Sequence, residues 1–430
     1  MKVLLDTNVD GMTVEVLNTG TELLLGHVVN THLKFLAEAL FPLGLRIERQ
    51  VTVPDGPAIR AALQETFGRA DVVLITGGLG PTTDDITRDV VAELLGLALE
   101  HDEEIMQAIA ARFARRDLKI SPRVSLQALR PRAATVLANE FGTAPGLYLP
   151  AIPGGSPHLF LLPGPPRELR PMVQEKVLPI LQRLAPAPAF AMRTYRIGGL
   201  GESLVEERVG EELVALGIEL GYCARPGEVD VRTIGAPEVL ERAEAIIRER
   251  LGDCIVSQDD RSMEKVVVDL LTAHGATVAT AESCTGGLLA NLFTDVPGAS
   301  AVFMEGFVTY ANEAKVRALG VDAAFIAAHG AVSREVAAAM AEGARQRAGV
   351  DFALATTGIA GPGGGSDAKP VGTVFIALAA KGGATQVLRH RFATDRATFK
   401  NLTAQTALDL LRRALLAAKD GKDKRDTDEA

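Results

Sequence analysis

Over the first 185 residues the apolar positions switch between two periods. Residues 14–17 form a short apolar run that stops at Asn18-Thr19-Gly20, and residues 26–41 repeat apolar positions at helical spacing. Residues 46–53 predict a strand and 57–68 a helix. Residues 71–76 are almost continuously apolar and halt at Gly77-Gly78, the pattern of a central parallel strand covered on both faces. Residues 158–162 predict another strand, closed by Pro163-Gly164-Pro165-Pro166. Such alternation predicts an α/β sheet with helices on both sides.

An Ala/Pro stretch at 185–189 marks a boundary. Residues 193–254 then read strand, helix, strand, strand, helix, strand, a small α+β module. A third unit starts at Arg261. It has a predicted helix at 263–273, strands at 276–281, 301–310, 352–357, 371–380 and 385–392, and helices at 333–346 and 397–418. The expected domains are therefore 13–185, 190–257 and 261–418. Residues 1–12 are expected to be a disordered extension, with Met12 as the alternative start, and 419–430 a disordered tail.

Composition narrows the function classes. Lys and Arg number 45 against 54 Asp and Glu, for a net charge of −9. That balance opposes a protein that coats nucleic acid through bulk charge. Trp is absent, so base-stacking platforms are not expected. Three Cys in 430 residues exclude a disulfide framework and point to a reducing compartment. No apolar run reaches the roughly 18 residues of a membrane span. A cytoplasmic protein is the expectation.

Two constellations carry chemistry. The first, Thr76-Gly77-Gly78-Leu79-Gly80-Pro81-Thr82-Thr83-Asp84-Asp85, leaves a strand and enters a helix. Ligands of open α/β sheets bind beyond the carboxyl ends of strands, and glycines there admit a phosphate to backbone N–H groups. Gly77, Gly78, Gly80 and Thr82 are thus candidate substrate contacts. Asp84 and Asp85 are candidates for a divalent cation that bridges a pyrophosphate, with Glu22 from the Gly20 turn nearby in the pattern. The plainer alternative is a tight turn with an Asp capping the helix. Neither a P-loop nor a dinucleotide fingerprint is present.

The second constellation lies in the third unit. Ser283 stands between a strand and the small-residue turn Thr285-Gly286-Gly287, whose bare N–H groups suit an oxyanion. It is a candidate nucleophile, and Cys284 is its rival; adjacent strand residues face opposite sides and a lone Cys is usually a small buried hydrophobe, so Ser283 is favoured. His274 and His329 fall in loop-like settings, so the better base is Lys315, on the same sheet rim after the next strand, provided burial lowers its pKa. Tyr310 is positioned to relay a proton. Gly358 and Gly361 belong to a donor-rich loop, and Arg396 could pair with an anionic group. Taken singly, Ser283 could be a cap, Lys315 a surface charge and residues 361–365 a linker.

These motifs together resemble a known family. Residues 282–287, 310–315, 330–333, 358–362 and 369–374 resemble the C-terminal domain of the CinA competence/damage-inducible family, which is similar to nicotinamide-nucleotide amidohydrolases. Residues 20–26, 77–85 and 163–166 resemble its N-terminal domain, which is similar to the MoaB/MogA-like molybdopterin-binding proteins. The resemblance implies a molybdopterin-binding-like α/β sandwich, a KH-like middle domain and a C-terminal α/β amidohydrolase. It implies deamidation of nicotinamide mononucleotide by Ser283 with Lys315 as base, Thr285, Tyr310 and Asn312 lining the pocket, and no cofactor there. It also implies metal-dependent cleavage of ADP-ribose at Asp84 and Asp85, and a homodimer. Gly198-x-x-Gly201 has the form of a KH clamp, yet residues 193–254 hold 8 Arg and no Lys against 13 Asp and Glu. A net-negative module is a poor RNA binder, so a spacer or dimerisation element is expected.

Overall fold

The computed structural model describes residues 12–185 and 190–428, with side chains described as far as residue 418. Residues 1–11 of the expected extension lie outside the described residues. The chain divides into two compact units, Met1–Ala191 and Met192–Ala430.

The first unit contains β1 (Thr13–Thr19), β2 (Arg46–Val53), β3 (Val72–Thr76), β4 (Leu99–His101), β5 (Leu129–Pro131), β6 (Thr135–Leu137), β7 (Gly146–Leu149) and β8 (His158–Leu162). Six strands make one sheet in the order β2-β1-β3-β8-β7-β6, and β4 and β5 form a separate pair. β2, β1, β3 and β8 run parallel, whereas β7 and β6 are antiparallel. The alternation of strand and helix predicted an α/β sheet, and β6 and β7 were not among its expected strands. The connection from β7 to β8 is too short for a crossover helix, so that pair must be antiparallel.

Every residue of β3 is buried. Val73 and Ile75 join Leu17, Leu159 and Leu161 on one face, and Val72 and Leu74 join Val14, Val16, Phe160 and Leu162 on the other. Side chains alternate along a strand, so a doubly covered strand must be apolar at every position. The helix expected at 26–41 is shorter, His32–Leu40, after a single turn at Thr21–Leu24. The Asn30 side chain accepts the His32 N–H at 2.9 Å and sets that late start. The apolar residues Val28 and Val29 that suggested an earlier one are exposed.

The second unit begins with β9 (Ala191–Gly198), helix Glu202–Ala215, β10 (Glu219–Arg225), β11 (Glu228–Gly235), helix Pro237–Leu251 and β12 (Ile255–Ser257). The sheet order is β10-β11-β9-β12. The Gly-x-x-Gly turn is already in contact with the unit's last helix. A Cβ on Gly199 would stand 3.6 Å from both Asp409 and Arg413.

β13 (Val278–Glu282), β14 (Phe303–Val308), β15 (Phe352–Gly358), β16 (Thr373–Ala380) and β17 (Gln386–Arg391) follow, in the order β14-β13-β15-β16-β17. β14, β13 and β15 are parallel, and β16 and β17 antiparallel. One face packs Val278, Leu354, Val374, Ile376 and Leu378 beneath Phe399, Leu408 and Leu411. The other is lined by Ala281, Ala353, Ala355, Ala377 and Ala379. Small side chains there let helix Arg334–Ala348, itself rich in Ala, lie close to the sheet.

The small module and this sheet were expected as separate domains but share one compact unit. Arg412, 1% exposed, donates to Asp409 Oδ1 at 2.8 Å, to the Ile255 carbonyl at 3.1 Å and to the Asp253 carbonyl. Its helix, Arg396–Asp428, continues past residue 418, where the pattern had placed a disordered tail. Arg412→Met should lower stability by about 2–4 kcal/mol, since it strands buried carbonyls. Urea unfolding followed by circular dichroism checks this, and a stability equal to that of the parent chain contradicts it.

Candidate active site

The second unit brings Ser283 and Lys315 together. β13 runs one residue further than its apolar pattern suggests, through Glu282, so Ser283 is the first residue beyond the strand. The Ser283 N–H donates to the Thr356 carbonyl of neighbouring β15 at 2.9 Å. Lys315 lies in helix Asn312–Leu319, entered from β14 on the other flank of β13. Its Nζ stands 3.2 Å from Ser283 Oγ, 2.8 Å from the Thr309 carbonyl and 3.2 Å from the Tyr310 carbonyl.

Lys315 is 1% exposed. Burial pushes its amine below the usual lysine range, against smaller opposing effects of Cys284 and Glu313. An ammonium would donate to all three oxygens. A neutral amine donates two N–H bonds to the two carbonyls and keeps its lone pair for the Ser283 hydroxyl. The site is thus shaped for a base.

Cys284 is excluded as nucleophile. It is buried in the core beside Leu289 and Phe293, and burial raises its thiol to about 12. His274 ends helix Met263–His274 and His329 ends helix Ala323–His329; neither hydrogen-bonds Ser283.

The turn after Ser283 is organised by Glu282, whose role the sequence reading missed. Its carboxylate is fully buried and accepts the N–H groups of Gly287 at 3.0 Å, Leu289 at 3.0 Å and Ala290 at 2.8 Å. An acid at the last position of an otherwise apolar buried strand was the available signal. Gly287 N–H is therefore committed and is not a substrate donor, contrary to expectation. Among the described residues the N–H groups of Thr285 and Gly286 donate to no protein acceptor; Thr285 is buried and Gly286 exposed. The Thr285 hydroxyl lies 2.7 Å from that of Thr356, both buried.

Tyr310, expected to relay a proton, is 64% exposed; its hydroxyl accepts from Arg396 at 3.3 Å, and its main-chain carbonyl accepts from Lys315. Arg396 also donates to the Gly361 carbonyl at 3.0 Å, so it ties the glycine-rich loop to the strand end that carries Tyr310. Gly358 ends β15, where a Cβ would stand 2.8 Å from the Thr373 carbonyl, so it serves packing. Asn312 opens its helix, exposed and without a side-chain hydrogen bond among the described residues.

In the first unit a cavity of about 370 Å³ opens at the carboxyl ends of β1, β3 and β8. Gly77 has φ +99°, and a Cβ there would stand 2.5 Å from the Thr19 carbonyl; Gly78, at φ +68°, abuts the Thr87 hydroxyl. These turns admit only glycine. Asp85 accepts from Thr82 N–H at 2.9 Å and from the Thr82 hydroxyl, and it abuts Gly80, so it braces the turn and does not cap the helix, which begins at Thr87. Asp84 is exposed, its carboxyl held below the usual range by a hydrogen bond from Thr82. Glu22, Asp55, Asp84, Asp85 and Glu168 all line the cavity, and no Lys or Arg does. Among the described residues no three His, Cys, Asp or Glu side chains converge as a metal cage. Scattered carboxylates of this kind fit an ion that keeps most of its waters and takes one or two protein ligands, with the remainder from a substrate phosphate.

Residues 260–415 match the family model described as "CinA C-terminal domain", and residues 15–183 match "Probable molybdopterin binding domain". A CinA-like protein of Akkermansia muciniphila is 47% identical over 396 residues, which cover 92% of this chain and 95% of the relative. A CinA-like protein of Citrifermentans bemidjiense is 43% identical over 95% of this chain and 99% of its own length. The solved structure of competence/damage inducible protein CihA from Agrobacterium tumefaciens is 45% identical and covers 36% of this chain and 93% of its own, with a TM-score of 0.35.

The buried amine makes a checkable demand on stability. A lysine whose folded pKa lies below its unfolded value of about 10.4 opposes folding at neutral pH, and stability rises with pH between those two values. In urea unfolding, the stability difference between the parent and Lys315→Met should shift in favour of the parent as pH climbs from 7 towards 10. A difference that stays constant with pH contradicts a lowered pKa.

Proposed function

The chain belongs to the CinA family, and from that footing we propose that its second unit hydrolyses the carboxamide of nicotinamide mononucleotide to nicotinate mononucleotide and ammonia. One observation carries the reading: a fully buried amine 3.2 Å from a strand-end serine hydroxyl. The residues of the site then divide the work. Ser283 Oγ attacks the carboxamide carbon while its proton passes to Lys315 Nζ, and the carbonyl oxygen becomes an oxyanion facing the free N–H groups of Thr285 and Gly286. The C–N bond breaks as Lys315 returns that proton to the departing nitrogen, which leaves as ammonia. Water then attacks the Ser283 ester, Lys315 takes and returns one proton, and the carboxylate product departs. Nothing in this sequence requires a metal or an organic cofactor.

The first unit is proposed as a metal-dependent pyrophosphatase acting on ADP-ribose. The support is its cavity at the strand ends, with glycine turns that admit a phosphate and a lining of carboxylates without a cation. A divalent ion would supply the charge that such a lining lacks for a pyrophosphate. Of the aspartate pair, the exposed Asp84 would hold it, since one oxygen of Asp85 already takes two hydrogen bonds from Thr82.

Two experiments test these activities separately. In an ammonia-release assay with nicotinamide mononucleotide, Ser283→Ala and Lys315→Ala should each reduce kcat by a factor on the order of 1,000 or more. Full activity in either variant removes that residue from the mechanism. The pyrophosphatase should release AMP from ADP-ribose only with a divalent metal, and Asp84→Asn should lose most of that turnover. No turnover with magnesium, manganese, cobalt or nickel refutes it.

A further inference from the structure

Lys400 was not singled out by its motif, yet the structure sets it at the amidase site. It follows Arg396 by four residues in helix Arg396–Asp428, so the two side chains leave the same helix face, Cβ atoms about 6 Å apart. Lys400 is half-buried, and its Nζ stands 3.7 Å from where a Cβ on Gly286 would lie. Gly286 belongs to the turn that follows the nucleophile. Arg396 donates to the Gly361 carbonyl and to the hydroxyl of Tyr310, whose main-chain carbonyl accepts from Lys315.

Neither cation has an acid partner among the described residues. Elsewhere in the same unit, Arg412 and Arg413 share Asp409, and Lys265 pairs with Asp269. Asp395, the acid nearest in sequence, is committed to its own helix start: it accepts the N–H groups of Ala397 at 2.9 Å and Thr398 at 3.0 Å. A half-buried ammonium without a counter-ion is unfavourable until an anion arrives. Lys400 together with the exposed Arg396 one helical turn earlier matches a phosphate monoester, which carries close to two negative charges at neutral pH. They match nothing on the neutral carboxamide.

We infer that Lys400 is a specificity-determining residue, which with Arg396 forms a two-cation subsite for the terminal phosphate of a mononucleotide and so separates it from the corresponding nucleoside. The inference rests on the amidohydrolase reading above, and its test can fail independently of that reading. Ammonia release is measured with nicotinamide mononucleotide and with nicotinamide riboside, for the parent chain, Lys400→Gln and Lys400→Arg. Lys400→Gln should raise KM for the mononucleotide by about tenfold, the loss of one charge-assisted contact, with kcat little changed. It should leave the riboside's kcat/KM as it was, and Lys400→Arg should restore KM. An unchanged KM, or equal losses on both substrates, overturns the subsite. If the parent chain releases no ammonia, the amidase reading falls and calorimetry decides the subsite. In that experiment Lys400→Gln should bind nicotinamide mononucleotide about tenfold more weakly than the parent, and equal or undetectable binding by both overturns the inference.

Discussion

A primary amine enclosed by protein is the constraint around which the second unit is arranged. Lys315 has almost no contact with water, and its nitrogen is satisfied by two main-chain carbonyls at the end of β14 and one serine hydroxyl at the end of β13. Burial disfavours the charged form, and the two carbonyls use the hydrogens that a neutral amine has to give. In the neutral form the lone pair is then left for Ser283. Because β13 and β14 are parallel neighbours, both groups emerge at the same edge of the sheet. Glu282, whose main-chain carbonyl accepts the Thr309 N–H at 2.8 Å, joins the two strand ends and also folds the turn of Thr285 and Gly286.

Much of this was legible in the chain. The pairing of Ser283 with Lys315 followed from their positions at successive strand ends, and the choice of Ser283 over Cys284 from the alternation of side chains at a strand terminus. The residue pattern marked β1, β2, β3 and β8 of the first unit's sheet and β13 to β17 of the second unit's five-stranded sheet, but not β6 or β7. What was not legible depended on contacts distant in sequence. Glu282 looked like a polar strand end until its carboxylate was seen to fold three N–H groups around itself. Tyr310 shares a strand end with Thr309, but only its carbonyl turns towards Lys315, a distinction no residue pattern encodes. Lys400 lies more than a hundred residues from Gly286, and helical spacing alone could not say which face of its helix meets the site. The direction of β16 was hidden because an apolar run has no direction, and β7, only four residues long, was too short to show a period.

The first unit answers a different electrostatic problem with the same architectural device. Its cavity also opens where parallel strands end and glycines bring the backbone close, but the surrounding side chains are acids. Such a lining repels a bare phosphate and suits one that arrives with a cation. The second unit instead carries two cations, Arg396 and Lys400, without acid partners among the described residues, near its Ser283 turn. The two sites therefore differ in the sign of the charge around them, and the proposals of metal-dependent and metal-independent chemistry rest on that difference.

The central claim is that the Ser283 hydroxyl, activated by Lys315, forms a covalent ester with the substrate. Rapid acid quenching during turnover of nicotinamide mononucleotide, followed by peptide mass spectrometry, measures this directly. The account predicts a nicotinate-mononucleotide acyl group on Ser283, absent from Lys315→Ala. An acyl group on Cys284, or steady ammonia release with no modified peptide at any quench time, would contradict it.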